Sequence, residues 1–351
     1  MPVTDQLSFP GYEQVTVFTD AEPGLEAIVA IHDTTLGPAC GGTRIWPYAS
    51  QGEALQDVLL LARAMTYKSA VAGLDIGGGK AVIIADPRAG LSEALLRAFG
   101  RCLNTLEGRF VTTADVGGTG RDMEIVNQET DHVVGLPEAQ GGSGDSSIMS
   151  GLGLYVGMKA CAKAVWGSDS LRGRRVAMQG FGKVGTQAAR HLLDEGAHLV
   201  ATALHDSTLR KARSMGAEVV APEEIYDVDC DIFSPCALGG VINRDTIPRL
   251  TCRIVAGAAN NQLATAADGE ELHRRGILYA PDFVINAGGI INLSVEVGRS
   301  YDPEVARRKT EGIYEVVERV IQVSGHEGMP TTWAANRLAE DRLAAARSAR
   351  P

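Results

Sequence analysis

Between residues 176 and 204 the chain reads as a strand, a glycine turn, a helix and a second strand. Val176-Ala177-Met178-Gln179 is a short apolar strand, and Gly180-Phe181-Gly182-Lys183-Val184-Gly185 follows it directly. Val184, Ala188, Ala189, Leu192 and Leu193 recur at helical spacing, Gly196 ends the helix, and Leu199 to Leu204 forms the next strand. In this setting each glycine of G-x-G-x-x-G has a physical task. The first permits the tight turn, the second lets backbone approach a pyrophosphate, and the third lets helix and strand pack closely. The helix N-terminus adds free N–H groups and the positive end of a dipole. A doubly wound parallel sheet holding a dinucleotide is expected, with Gly180, Phe181, Gly182, Lys183, Val184 and Gly185 against the cofactor. An acid normally ends the second strand and binds the adenosine ribose. Ala203 occupies that place and the nearest carboxylate is Asp206, so NAD is the expected cofactor while Arg210 and Lys211 leave NADP open.

The 351 residues suit two domains. Upstream of the dinucleotide unit, strand-like and helix-like patterns alternate: a strand at Ala27–His32, a helix at Glu53–Met65, a strand at Ala81–Ala85 and a helix at Ser92–Leu103. Gly135 to Ser150 reads as a loop or hinge, and Gly151 to Trp166 as a helix. Asp231–Phe233, Ile254–Gly257 and Phe283–Asn286 read as further strand ends. Ile313 to Ile321 and the charged stretch after Pro330 read as helices.

Lys and Arg number 33 against 43 Asp and Glu, a net charge of −10 with the acids scattered along the chain. Nucleic acid and anionic membrane surfaces are poor partners for such a chain, because both favour a clustered basic face. The six cysteines form no C-x-x-C pair, the N-terminus has no signal-peptide pattern, and no run of about 18 apolar residues occurs. A reduced, cytoplasmic protein is expected. No metal site is indicated, since the even spacing of His191, His198 and His205 crosses from a helix to a strand and loop.

Gly77-Gly78-Gly79-Lys80 resembles a phosphate-binding P-loop but has Leu74 and Ala81 where G-x-x-x-x-G-K-[ST] needs glycine and Ser/Thr. Another use for Lys80 is proton transfer. Tightly turned backbone and apolar neighbours (Leu74, Ile76, Ala81, Val82) would weaken its hold on a proton. Lys68 upstream and Asp115 downstream complete a set suited to an amino-acid substrate: one lysine for the α-carboxylate, the other lysine and the Asp for protons.

Seven ordered blocks then point to one family. They are Ile31 to Pro38, Gly41-Gly42-Thr43-Arg44, Met65-Thr66-Tyr67-Lys68, Gly77 to Lys80, Asp231 to Gly239, Ala258 to Leu263, and Tyr279 to Gly289. In them the chain resembles the Glu/Leu/Phe/Val dehydrogenases over nearly its whole length, most of all the leucine and valine dehydrogenases. The resemblance implies an N-terminal α/β substrate-binding and oligomerisation domain (1–148 with 326–351), a Rossmann NAD-binding domain (149–325), and a cleft between them. It implies reversible oxidative deamination of an L-amino acid to the 2-oxo acid and ammonium, carried out by a homo-oligomer. Lys68 would hold the substrate carboxylate, Lys80 would activate water and Asp115 would exchange protons with the amino group. Gly41, Gly42, Met65 and Asn261 would also meet the substrate. Ser150, Ala203, Asp206, Cys236, Ala237, Ala258 and Asn260 would line the cofactor.

The positions matching the family's side-chain pocket are Cys40, Thr113, Val134, Ile290 and Leu293, none of them cationic. A second substrate carboxylate would find no partner, so glutamate is disfavoured and branched-chain aliphatic substrates fit best. Cys40, smaller than the leucine expected there, leaves room for Phe or Trp. A non-catalytic sensor on the same fold is the alternative from another class; the Ala203 departure supports it and the joint presence of Lys68, Lys80 and Asp115 opposes it.

Overall fold

The computed structural model describes residues 3–349, which divide into two compact units. The first comprises the chain up to Asp145, Leu293–Pro303 and the segment from Ala339 onward; the second comprises Ser146–Asn292 and Glu304–Leu338. The return to the first unit thus begins at Ala339, later than the expected residue 326, and a short excursion at 293–303 precedes it.

The first unit is built on a six-stranded mixed sheet. Its strands are β1 (Val3–Leu7), β2 (Gln14–Asp20), β3 (Leu25–Asp33), β4 (Ala39–Trp46), β5 (Gly77–Ile84) and β6 (Phe110–Ala114), in the order β1-β2-β3-β5-β4-β6. The first three strands and the β3–β5 pair run antiparallel, and β5–β4 and β4–β6 run parallel. Helix α1 (Gln51–Val71) covers one face, packing Ala54, Val58 and Ala62 against Ile28 and Val82. Helices α2 (Glu93–Asn104) and α3 (Gly120–Asn127) cover the other, where Phe99 and Met123 join Val29, Ala81, Ile83 and Phe110.

The triple glycine is not a turn. Gly77 to Lys80 opens β5 in extended conformation, and the glycines are there for contact. A Cβ on Gly78 would overlap the backbone of Thr66 on α1, and one on Gly79 would lie 2.8 Å from the Phe110 ring. Helix and strand therefore approach more closely than any side chain permits. The two-residue alternation of a strand then sends Gly78, Lys80 and Val82 toward α1 and Gly79, Ala81 and Ile83 toward the opposite core.

The second unit starts with α4 (Ser147–Trp166), four residues earlier than the sequence suggested, so Ser150 lies in a helical first turn instead of a loop. Next come β7 (Arg175–Gln179), α5 (Lys183–Glu195), β8 (His198–Thr202), α6 (Asp206–Ser214), β9 (Glu218–Val219), β10 (Ile232–Pro235), β11 (Ile254–Val255), α7 (Ala266–Arg274) and β12 (Leu278–Tyr279). The six strands are all parallel, in the order β12-β11-β10-β7-β8-β9. That is a doubly wound sheet with its switch point between β7 and β10. Phe283–Asn286, expected to be a strand end, is instead mostly helix α8 (Asp282–Ile285), which Pro281 starts. Short apolar runs do not distinguish the two by periodicity. Helices α9 (Gly288–Ser294), α10 (Pro303–Glu311), α11 (Ile313–Glu327) and α12 (Thr331–Ser348) complete the chain. No described helix is long and apolar enough to cross a membrane.

The last turns of α12 are tied to the first unit by two arginines. Arg347 pairs with Asp33 on β3, and Arg342 donates to the carbonyls of Leu74 at 2.7 Å, Ala70 at 3.2 Å and Ser69 at 3.3 Å, besides Asp75. These are carbonyls at the end of α1, where a cation also meets the negative end of the helix dipole. Arg342→Ala is expected to cost about 1–3 kcal/mol in chemical denaturation. A variant as stable as the parent would show that those carbonyls find other donors.

Candidate active site

The register of β5, β4 and β6 assembles the first group of site residues. Cys40 pairs with Gly78, and the same offset sets Gly42 opposite Lys80 on one side and opposite Thr113 on the other. Paired residues share a face, so Lys80 projects toward the Gly42 strand and reaches Asp115, just past β6, in an ion pair. It crosses a strand that offers no side chain in the way. A Cβ on Gly42 would lie 2.7 Å from the Asp115 Cβ, and one on Gly41 would overlap the Gly79 carbonyl oxygen.

Lys80 is 6% exposed, and the Asp115 side chain is one-quarter exposed. Burial alone would raise the Asp115 carboxyl, but the Lys80 ammonium beside it and the nearby Arg44 guanidinium outweigh that and hold it below the ordinary carboxylate value. Cys40 has no exposed surface, and burial, reinforced by the Glu296 charge, pushes its thiol up to about 12. It is a small apolar filler and not a nucleophile.

Met65 and Lys68 lie three residues apart on α1, hence on one helix face, and both are partly buried. Their intervening neighbour Thr66 sits against Gly78 and hydrogen-bonds His32 at 2.8 Å. Thr113 and Leu293 meet at Gly135: a Cβ there would lie 2.6 Å from Thr113 Oγ1 and 2.9 Å from Leu293 Cδ2. Val134 is buried beside them, its N–H neighbourhood fixed by donation to the Thr112 carbonyl at 2.8 Å. Two contributors had escaped the sequence reading. Glu296 accepts the N–H groups of Gly135 at 3.0 Å and Ser143 at 2.9 Å, pinning the backbone beside Thr113, Val134 and Leu293. Arg44 lies 3.8 Å from Asp115, and its place in Gly41-Gly42-Thr43-Arg44 was the only signal for it.

In the second unit the glycine turn has the geometry of a phosphate cradle. Gly180 adopts φ +98°, and a Cβ there would come within 2.6 Å of the Ala237 Cβ. The third glycine is equally constrained, a Cβ on Gly185 lying 2.8 Å from the Gly180 carbonyl oxygen. Gly182 differs: it is exposed, a Cβ would meet nothing, and it caps α5 without any side-chain bond to the first-turn N–H groups. Those donors, flanked by Phe181, Lys183 and Val184, fit a pyrophosphate. Cys236 N–H donates to the Gln179 carbonyl at 2.7 Å, and Gly180 N–H to that of Thr202 at 2.9 Å. Ala203 and Ala237 are thereby brought to the turn from either side. Asp206 is not at the strand end: it is the exposed first residue of α6.

Ala258, Asn260 and Asn261 lie on a braced turn. Asn286 donates to Asn260 Oδ1 at 2.7 Å and to the Ala258 carbonyl at 3.2 Å, while buried Gln262 donates to the carbonyls of Gly257 and Ala259. Asn261 is held at φ +52°, and its carbonyl accepts Gly240 N–H at 2.7 Å. Ser150 packs against the Gly288-Gly289 pair, where a Cβ on Gly289 would lie 2.9 Å from its hydroxyl, and Ile290 is buried next to that pair.

Comparison with known proteins agrees with this arrangement. Residues 13–132 match the family model described as "Glu/Leu/Phe/Val dehydrogenase, dimerisation domain", and residues 141–215 and 204–350 match "Glutamate/Leucine/Phenylalanine/Valine dehydrogenase". Leucine dehydrogenase of Bacillus subtilis is 51% identical over 97% of this chain and 93% of its own. Valine dehydrogenase of Streptomyces coelicolor is 46% identical over 96% and 93%. The crystal structure of L-tryptophan dehydrogenase from Nostoc punctiforme superposes with a TM-score of 0.85 at 44% identity, covering 97% of this chain and 98% of that one. The chain belongs to the Glu/Leu/Phe/Val dehydrogenase family and is an amino-acid dehydrogenase, an oxidoreductase that works with a nicotinamide cofactor.

Proposed function

We propose that the protein catalyses the reversible, NAD-dependent oxidative deamination of branched-chain aliphatic L-amino acids to 2-oxo acids and ammonium. The observation that carries this reading is the Lys80–Asp115 ion pair laid across Gly42, with Cys40, Thr113, Val134 and Leu293, none of them cationic, as the side-chain wall of the proposed substrate pocket. Glu296, close enough to act on the Cys40 thiol, adds negative charge near that wall and makes a second substrate carboxylate still less welcome.

In this reading Lys68 binds the α-carboxylate, with Asn261 assisting and Met65, Gly41 and Gly42 shaping the space. Asp115, ionised at neutral pH, takes a proton from the substrate ammonium group. The bound nicotinamide supplies the acceptor for the hydride that leaves Cα. Lys80, acting as the base, then takes a proton from the water as it adds to the imine; Asp115 returns its proton to the nitrogen and accepts that of the hydroxyl as the C–N bond breaks and the carbinolamine collapses to the 2-oxo acid and ammonia. The turn 180–185 would hold the pyrophosphate, with Ala203, Cys236, Ala237, Ala258, Asn260 and Ser150 along the rest of the cofactor and Asp206 reaching the ribose from the start of α6.

A homo-oligomer goes with this reading. The family description for residues 13–132 names dimerisation, and Trp46, Leu60 and Val116 in that stretch are exposed apolar side chains. An aromatic substrate is the second reading, favoured by a 47% identity to L-tryptophan dehydrogenase over 95% of this chain and by the small Cys40. Initial rates with leucine and either NAD or NADP test the cofactor assignment. Faster turnover with NAD is expected, and equal or faster turnover with NADP would overturn it.

A further inference from the structure

The Lys80–Asp115 pair has a neighbour that this reaction scheme leaves unused. Arg44 lies on β4 two residues past Gly42, and the β4–β6 register, continued one step beyond Thr43 and Ala114, sets it opposite Asp115. Its Nε is 3.8 Å from Asp115 Oδ2, the same oxygen that receives Lys80 Nζ. At the far edge of the guanidinium, Nη1 donates to Asp57 Oδ2 at 2.8 Å, and the Tyr48 hydroxyl donates to that oxygen at 2.5 Å. Asp57 stands on α1, so the guanidinium is clamped between helix and strand. The Nε atom is buried and has no hydrogen-bond partner among the described residues.

A buried donor without a partner is costly, and 3.8 Å is an ion-pair distance that falls short of a hydrogen bond. If Arg44 served only to join β4 to α1, the Nη1–Asp57 bond would suffice and Nε would have no reason to be stranded facing a carboxylate. We propose that Arg44 is a positioning residue for the reaction: clamped by Asp57 and Tyr48, it takes hold of Asp115 Oδ2 when Lys80 turns from that carboxylate to the water. This rests on the roles proposed above for Lys80 and Asp115.

The physical need is plain. While Lys80 pairs with Asp115 the half-buried carboxylate is neutralised. When Lys80 turns to the water, Asp115 carries the proton it took from the substrate; left without a nearby cation it would keep that proton or swing away, and the return of the proton to the substrate nitrogen would fail. Arginine suits this service because it does not lose its own proton. The charged and titratable groups facing Asp115 are Lys80 from β5 and Arg44 from β4, with the Val116 N–H donating to it; those facing Arg44 are Asp115, Asp57 and Tyr48.

The test is the pH profile of kcat for leucine oxidation in Arg44→Gln, Arg44→Lys and Asp57→Asn. The acid limb belongs to the coupled Lys80–Asp115 pair. Removing a cation disfavours the deprotonated form of the pair, so in Arg44→Gln the limb is expected to move up by about one pH unit. In that variant kcat falls about tenfold while KM for the amino acid changes less than about twofold, the pattern of a group that acts after substrate is bound. Arg44→Lys keeps the charge and should return the limb to its original pH with part of kcat. Asp57→Asn loosens the clamp and should lower kcat with no upward shift of the limb. A folded Arg44→Gln enzyme with an unmoved limb overturns the proposal, as does an Arg44→Lys enzyme indistinguishable from it. If Arg44→Gln does not fold, parental kcat in both other variants overturns it. Should the parent oxidise no amino acid, the proposed function falls. The hold of Arg44 on Asp115 is then read alone from the 13C carboxyl titration of Asp115, assigned with Asp115→Asn, whose midpoint must rise in a charge-removing Arg44 variant.

Discussion

Replacing Lys80 with alanine is expected to lower kcat for amino-acid oxidation by about a thousandfold, while leaving the binding of reduced cofactor unchanged. The size follows from the loss of general acid–base assistance, which contributes about 10²–10⁴ in rate. A second effect adds to it. Lys80 is the main influence opposing burial at Asp115, so its removal leaves a carboxyl that burial raises, with the Val116 N–H and Arg44 at 3.8 Å in partial compensation. On the roles proposed for them, the proton acceptor for the substrate ammonium is therefore impaired along with the water-activating group. Cofactor affinity is expected to hold because the turn 180–185, the proposed pyrophosphate site, is built within the second unit and Lys80 within the first. Stopped-flow or steady-state rates beside NADH fluorescence titration check both halves. A Lys80→Ala enzyme within tenfold of the parent kcat would remove Lys80 from the chemistry.

Gly41→Ala is expected to be among the most damaging small substitutions in the first unit. A single methyl at Gly41 would overlap the Gly79 carbonyl oxygen, which is backbone and has no rotamer to yield. Strands β4 and β5 would have to separate at the place where Lys80 crosses toward Asp115. Overpacking a tight core costs about 1–3 kcal/mol, and a backbone clash belongs at or above the top of that range. Gly182→Ala is the matched contrast. Its Cβ would meet nothing and its φ is −72°, so stability is expected to stay within about 1 kcal/mol of the parent, while the added methyl crowds the approach to the α5 N-terminus and weakens NADH binding. Denaturation and NADH titration of the two variants should give opposite patterns: lost stability for Gly41→Ala, lost affinity for Gly182→Ala. Equal stability for the two would contradict the close-approach account of the β4–β5 glycines.

The contrast between those glycines also explains what the sequence made legible. Strand β7, the turn and α5 could be read from residue order because each constraint is local: a positive φ at Gly180, a close helix–strand contact at Gly185, an uncapped helix start at Gly182. Gly77 to Gly79 misled because glycine signals turns by the same absence of a side chain that lets an extended strand press against a helix. What decides between them is Thr66 and Phe110, remote in sequence. The same reasoning covers Glu296, which reaches Gly135 across 161 residues with no local pattern to announce it. Asp115 and Lys80 were recognisable as residue types suited to proton transfer, but their pairing depends on the β5-β4-β6 strand order, which has no signature in the order of residues along the chain. Leu199 to Leu204 overran the true end of β8 at Thr202 because apolar residues continue into the following turn. The boundary at Ala339 fell inside one continuous helix, α12, where periodicity gives no sign of a change of unit.

The most direct test of the central claim is the ratio of kcat/KM values with NAD for leucine, valine and isoleucine against phenylalanine, tryptophan and glutamate. A pocket wall without cations predicts that the three branched-chain amino acids lead, that the aromatic pair follows, and that glutamate is at least about a hundredfold poorer than leucine. Preferred oxidation of glutamate, or binding of NADH without turnover of any of the six, would contradict it.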